Sequence, residues 1–299
     1  MWLFWTTACL TAADKPEHLW DEDGDGFLAF EDCDDHNASV YPGAPEYCGD
    51  GIDSACDGDP TDAGIATFLG EEGLRDVSEE LSSVGVLEIE ESGSLYICEG
   101  SWIGQVKSRA EELVIYGGPG VVLDGNRGHA ALVVESGITW AYDLEIRNGG
   151  GCVGSSVRVA QLDACTETYA ALAPVDATLY LQDSLVLGGE DERGDASVLV
   201  VGGRLELSGT LVRSSQDHGV ELIDGNLQCH GHSARAGVVD SKGWGAWMQG
   251  ESLLRSNGCD WGQAGHENLG GDVWFEDHRY EAQDNAWFVC SVESGCLAQ

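Results

Sequence analysis

The chain has 299 residues, with 53 Asp and Glu against 14 Lys and Arg, and a formal net charge of −39. That balance excludes a nucleic-acid partner, which would need a basic face to neutralise phosphates, and disfavours anionic membrane surfaces. It favours solubility and the retention of divalent cations, and the length accommodates one large domain plus a small module.

The first thirteen residues open Met1-Trp2-Leu3-Phe4-Trp5-Thr6-Thr7-Ala8-Cys9. This short apolar run ending in a small residue and a cysteine resembles a bacterial lipoprotein signal, although it lacks a basic start and is shorter than usual. The resemblance implies a lipid anchor at Cys9; ordinary cleavage after Ala13 would instead start the mature protein at Asp14. No later stretch approaches the ~18 consecutive apolar residues of a helical span, so no transmembrane segment is expected. Residues 14–20 read as a linker.

Residues 21–62 form an Asp/Cys-rich module. From Asp21 to Asp62 there are fourteen Asp and Glu and no Lys or Arg. Carboxylates packed this closely repel one another unless a cation lies between them, and an all-oxygen donor set points to calcium as the cofactor. Asp21-Glu22-Asp23-Gly24-Asp25-Gly26-Phe27 has the spacing of the first half of an EF-hand loop. Asp21, Asp23 and Asp25 take positions 1, 3 and 5, Gly26 makes the turn, Phe27 offers its backbone carbonyl, and Asp32 falls at position 12. A bidentate Glu is usual at position 12; here Glu31 comes one residue early. No helical pattern flanks the loop, so a helix-loop-helix sensor is not expected.

The stretches 21–27, 32–35 (Asp-Cys-Asp-Asp), 42–48 (Pro-Gly-Ala-Pro-Glu-Tyr-Cys) and 50–58 (Asp-Gly-Ile-Asp-Ser-Ala-Cys-Asp-Gly) together resemble the MopE-type metal-binding motif of bacterial surface proteins. The resemblance implies a metal-binding module and brings in Asp34, Asp35, Asp53 and Asp57 as candidates for a second ion. Ser54-Ala55 departs from the Asn and acidic residue that the family often carries, which bears on that second ion. The family name is associated with copper, but copper prefers imidazole and soft sulfur, and besides cysteines the segment offers only His36.

Eleven cysteines without a C-x-x-C pair point to an oxidising compartment. Cys33, Cys48 and Cys56 lie in the module and seven lie beyond it, so full oxidation requires a bridge between module and body, with Cys98 nearest in sequence. Cys152–Cys165 and Cys290–Cys296 are expected as local loops.

Residues 63–299 read as short strands, with a cap helix near Gly73–Leu81. From about Val84, apolar alternations of three to five residues are broken by Gly, Asp, Asn and Ser. They include 86–89, 95–97, 113–116, 121–123, 132–134, 144–146, 179–181, 185–187, 198–201, 205–207, 220–223 and 273–275. This pattern argues all-β. Strand starts at Leu179, Val198, Val220, Ala246 and Val273 recur at intervals of 19, 22, 26 and 27 residues, a drift that suits stacked coils with variable loops. The segment Leu132–Gly150 resembles one coil of a right-handed parallel β-helix of the pectin-lyase-like class, and Leu95–Ser101 and Val121–Gly125 resemble its first coils. A β-sandwich or a propeller is the alternative.

Catalytic signals are weak. Gln216-Asp217-His218-Gly219 is a fragment of a polygalacturonase-like pattern without its partners. Lys107, Arg109 and Arg147 are the cations a lyase would use, with no acid cluster assignable to them. Asp124-Gly125-Asn126 and Asp191-Glu192-Arg193 read as surface turns. His230 and His232 alternate and would share one face of a strand. Five of the ten tryptophans lie late, at 244, 247, 261, 274 and 287, and are expected to close the last coils from inside; an exposed row that stacks on sugar rings is the alternative. The whole predicts an exported, calcium-binding, non-enzymatic protein at the envelope, outer surface or exterior of a bacterium, serving adhesion, matrix or glycan binding, with extracellular polysaccharide or surface components as partners. The competing reading is a polysaccharide lyase or glycoside hydrolase on the same scaffold.

Overall fold

A computed structural model describes residues 20–44, 52–58, 65–82, 85–150, 155–160, 176–188, 196–213, 215–231, 236–262, 265–282 and 287–298. The chain divides into two compact units, Met1–Asp62 and Ala63–Gln299. Cys9, Cys48, Cys152, Cys165, His232 and 191–193 lie outside the described residues, and with them the lipid anchor, the module–body bridge and the Cys152–Cys165 loop.

From Val86 the larger unit repeats one sequence of events. A strand joins sheet B, the next joins sheet A and the third joins sheet C, and this order recurs through six turns to Val239. Leu132–Val134, Gly137–Tyr142 and Glu145–Arg147 make up one such turn. Neighbouring turns pair in parallel and in register, which is the arrangement of a parallel β-helix.

Register places like side chains above like. In sheet A, Leu113, Thr139, Leu179, Leu205, Leu227 and Leu254 form one inward column. In sheet B, Val157, Val198, Val220, Ala246 and Val273 form another. All of these are fully buried, and each large aliphatic side chain contributes about 1.5–3 kcal/mol relative to exposure. Thr139 is tolerated in its column because its hydroxyl bonds Ser108 Oγ at 3.1 Å. The Val198–Val220–Ala246–Val273 series is therefore a true stack. Leu179 does not head it: that residue belongs to sheet A, and the neighbour of Val198 is Val157. The interval from Leu179 to Val198 runs between sheets, yet it resembles the interval between turns.

Each turn bends at three corners, and many are made by a residue in the left-handed region. Asp143, Asp183, Gly209 and Gly258 leave sheet A, Gly137, Gly202, Asp224 and Gly250 enter it, and Asn148 and Asp240 leave sheet C. Asn, Asp and Gly tolerate this conformation where other residues clash with their own carbonyl.

Antiparallel strands close both ends. Ala66–Gly70 pairs antiparallel with Gly93–Ile97 and with Gly73–Asp76. The expected cap helix over 73–81 is thus corrected: 73–76 is a strand, because Gly73 (φ 100°) closes a hairpin, and helix is confined to Ser78–Ser82, anchored by buried Leu81. At the far end Trp287–Ser291 and Gly295–Ala298 fold back on sheet A, and His278–Tyr280 on sheet B. Such caps blunt the open edges of a stack. Cys290–Cys296 is formed as expected, Cys229–Cys259 ties neighbouring turns, and Cys98 is also disulfide-bonded.

The Gly137 corner is tightly constrained. A Cβ there would lie 2.0 Å from the carbonyl oxygen of Ala110, on a backbone of φ 69°. Gly137→Ala is expected to lower unfolding stability by about 2–4 kcal/mol, measured by denaturant titration; a loss below ~1 kcal/mol would show that the corner is plastic.

Candidate metal centre

A carboxylate has two oxygens, and in residues 21–34 the backbone claims one of most pairs. Asp23 Oδ1 accepts the Asp25 amide (3.2 Å), Asp25 Oδ1 the Phe27 amide (2.8 Å) and Asp32 Oδ1 the Asp34 amide (2.9 Å). These are Asx-type turns, the local bonding that lets Asp compete with regular structure. Asp21 holds the turn with both oxygens, accepting from Gly24 (2.7 Å) and Gly26 (3.1 Å), and Gly26 adopts φ 104°. The Leu28 carbonyl accepts the amides of Glu31 and Asp32, which turns the chain back and returns Asp32 toward the loop.

The second oxygens have no such donors. Oδ2 of Asp23, of Asp25 and of Asp32 is shielded from solvent without a hydrogen-bond partner. Asp21, Asp23 and Asp25 each present an oxygen within 4.8 Å of the others. The Asp23 carboxyl is held above its ordinary range, first by desolvation and then by the charges of Asp25, Asp32 and Asp21, against the lowering effect of the Asp25 amide. Unpaired, shielded carboxylate oxygens are expensive, and a cation among them relieves both the desolvation and the repulsion. The donor set fits a hard, oxygen-seeking ion. The Phe27 ring stacks on Tyr41 at 5.2 Å, which pins the exit of the loop.

The second candidate set is used differently. Asp53 spends both oxygens on the amides of Asp57 (3.1 Å) and Gly58 (2.8 Å), and Asp35 Oδ1 accepts the Glu22 amide (3.1 Å). Asp34 and Asp57 are exposed, and among the described residues these four form no converging group. Asp32, Cys33 and Cys56 do converge within 4.8 Å, but the two sulfurs are joined in a disulfide, so neither is a thiolate donor. His36 lies 3.5 Å from Glu22, on the surface. Among the described residues, the convergent donors in this unit that are free to ligate are carboxylate oxygens, not thiolates or imidazoles. Neither the Cys33–Cys56 pairing nor the anchoring role of Asp53 was visible in the spacing; three cysteines leave their pairing open.

Elsewhere, acids do gather around all three of the candidate cations. On the outer face of sheet B, Lys107 contacts Glu135 (3.0 Å) and Glu88 (3.5 Å), and Arg109 contacts Glu135, Glu88 and Glu90. Arg147 contacts Asp124 and Glu145. His218 accepts the Trp244 amide at Nδ1 (3.1 Å), stacks on Trp247 at 4.4 Å, and is held below its ordinary pKa by burial. His230 faces Glu206 at 3.3 Å. The tryptophans split. Trp261 is buried inside the last turns as expected, whereas Trp244, Trp247 and Trp274 are half-buried with rings 5.0–5.6 Å apart, and Trp287 is exposed. The interior expectation fails for these four because Trp247 and Trp274 take outward positions of the alternation in sheet B, Trp244 sits just before its inward column, and Trp287 stands at the exposed edge of the end cap.

Residues 32–60 match the Cu-binding MopE family model, described as "Putative metal-binding motif". The match includes Asp32 and the Cys33–Cys56 disulfide and begins after the 21–27 turn. No curated protein matches the chain, and no solved structure does.

A cation held at this loop would require the deprotonated form of Asp23, whose pKa is raised. Affinity is therefore expected to fall as pH drops toward the carboxylate range, with proton release on binding. Calorimetry in buffers of different ionisation enthalpy measures this, and a pH-independent affinity would contradict it.

Proposed function

We propose that this is an extracellular calcium-binding protein in which a small ion-ordered module, residues 21–62, accompanies a β-helix, residues 63–299, that binds or builds rather than catalyses. The observation that carries the reading is the trio of shielded, unpartnered oxygens on Asp23, Asp25 and Asp32. Calcium accepts irregular oxygen cages of this kind; Asp21, Asp23, Asp25, Asp32 and the Phe27 carbonyl are its proposed ligands. Three disulfides among the described residues indicate an oxidising, extracellular environment. No helix among the described residues is long and apolar enough to cross a membrane. Attachment to the bacterial envelope through a lipid at Cys9, and a role in adhesion, matrix or glycan binding, belong to the same proposal.

Affinity of order 0.1–1 mM would suffice outside the cell. Chelation is expected to strip hydrogen-exchange protection from residues 21–58 and leave the β-helix protected, because its inward columns do not depend on the ion. Asp23→Ala should reproduce this in excess calcium. Unchanged protection of the loop on chelation would mean that its disulfide alone orders it, and the calcium reading would fall.

The second reading is a polysaccharide lyase or hydrolase, favoured by the Glu88, Lys107, Arg109 and Glu135 cluster on one sheet face. Against it, Lys107 and Arg109 already have carboxylate partners, and a lyase base must be free to take a proton. No calcium-dependent release of unsaturated products from polyuronides is expected; robust turnover abolished by Lys107→Ala would reverse the ranking.

A further inference from the structure

The Cys33–Cys56 disulfide lies against Asp32, the proposed ligand from outside the 21–27 turn. An oxygen of Asp32 and the sulfurs of Cys33 and Cys56 fall within 4.8 Å of one another. Cys33 follows Asp32 directly, while Cys56 lies 23 residues away from Cys33 in a braced turn. The bracing is plain: Asp53 caps the amides of Asp57 and Gly58, the Tyr41 amide bonds the Ser54 carbonyl (2.9 Å), and the Gly43 amide bonds the Ala55 carbonyl (3.0 Å). Cys56 itself holds a left-handed backbone, φ 58°, which a residue with a Cβ keeps only when its surroundings impose it.

The remaining hydrogen bonds of Asp32 are local. Its amide reaches back to Leu28 and its Oδ1 forward to Asp34. Neither fixes the 32–34 stretch against the turn at 53–58; the disulfide does so covalently, and Cys33 Sγ also rests 3.6 Å from the Asp53 carbonyl oxygen. Asp32 is the ligand contributed from outside the 21–27 turn, so its placement decides whether the cage is closed or open on that side.

We propose that the Cys33–Cys56 disulfide is a positioning element of the metal site, acting through Asp32 to set the affinity for calcium and the number of waters left on the ion. This rests on the calcium reading above. Partners that orient a ligand without touching the metal typically govern affinity by 10- to 100-fold, and a cage missing one carboxylate should hold about one more water.

The test is a double-mutant cycle in the full chain: unaltered protein, Cys33→Ser/Cys56→Ser, Asp32→Ala, and the combination. Calcium affinity is read by chelator competition, and bound water by europium luminescence lifetimes in H2O and D2O. The disulfide-free variant is expected to bind calcium about 10- to 100-fold more weakly and to gain about one water on europium. In the Asp32→Ala background, loss of the disulfide is expected to change neither quantity, because coupled groups are non-additive. Equal losses in both backgrounds, or an unchanged water count, would overturn the proposal by showing that the disulfide only orders the loop at large. If the serine variant leaves the module unprotected at saturating calcium, the cycle is run with Asp53→Asn, which keeps the disulfide and loosens the turn that anchors Cys56, with the same outcomes deciding. Absence of calcium binding by the unaltered protein would instead overturn the calcium reading, and the proposal with it.

Discussion

Stacking in register is the constraint from which the larger unit follows. A parallel turn buries its apolar side only against the turns before and after it, so each strand must present the same face at the same height as its neighbours. A one-residue slip would turn the leucines of Leu205–Leu207 or Leu227–Cys229 outward. The left-handed corners at Asp143, Asp183 and Asp224 keep the three strands of a turn at fixed angles, and with them the columns aligned. Hydroxyls make the same connection laterally: Ser184 Oγ accepts the Leu144 amide (3.2 Å), and Thr210 Oγ1 accepts the Ser184 amide (3.2 Å), one turn to the next.

The smaller unit is organised by the opposite means. Among its described residues few apolar side chains are buried, Val40 and Ala44 among them, and order comes from carboxylates bonding their own backbone, a stacked ring pair and a disulfide. A net charge of −39 makes those carboxylates mutually repulsive, and the two units answer that repulsion differently. Around sheet B, scarce cations are shared, Glu135 taking both Lys107 and Arg109. In residues 21–62 no Lys or Arg exists to share, and Oδ2 of Asp23, Asp25 and Asp32 has no hydrogen-bond partner.

Much of this was legible in the residues. Alternation in 198–201, 220–223 and 273–275 marked strands, and the recurrence of Val198, Val220, Ala246 and Val273 gave the true register of sheet B. The Asp spacing of 21–25 marked three carboxylates whose oxygens the fold brings within 4.8 Å of one another. What stayed hidden depends on long-range placement. Leu179 and Val198 look alike as strand starts, and only pairing tells that they belong to different sheets. Trp261 and Trp247 are equally apolar, yet Trp247 takes an outward position of a strand while Trp261, outside any strand, is buried against Phe288. Asp53 resembles a ligand in sequence, and the turn it caps through the amides of Asp57 and Gly58 could not be read from its spacing.

The Cys229–Cys259 bridge has a mechanical meaning. A stack held by nearest-neighbour contacts peels from its ends when its termini are pulled apart, each turn paying out its length in sequence. This bridge spans a sequence separation of 30 residues near the C-terminal end, and the loop it closes cannot extend under tension. At ~3.3–3.6 Å per residue, about 100 Å of chain is withheld from stretching. Loaded along its axis, the stack would yield a shorter tether from this end than its residue count implies.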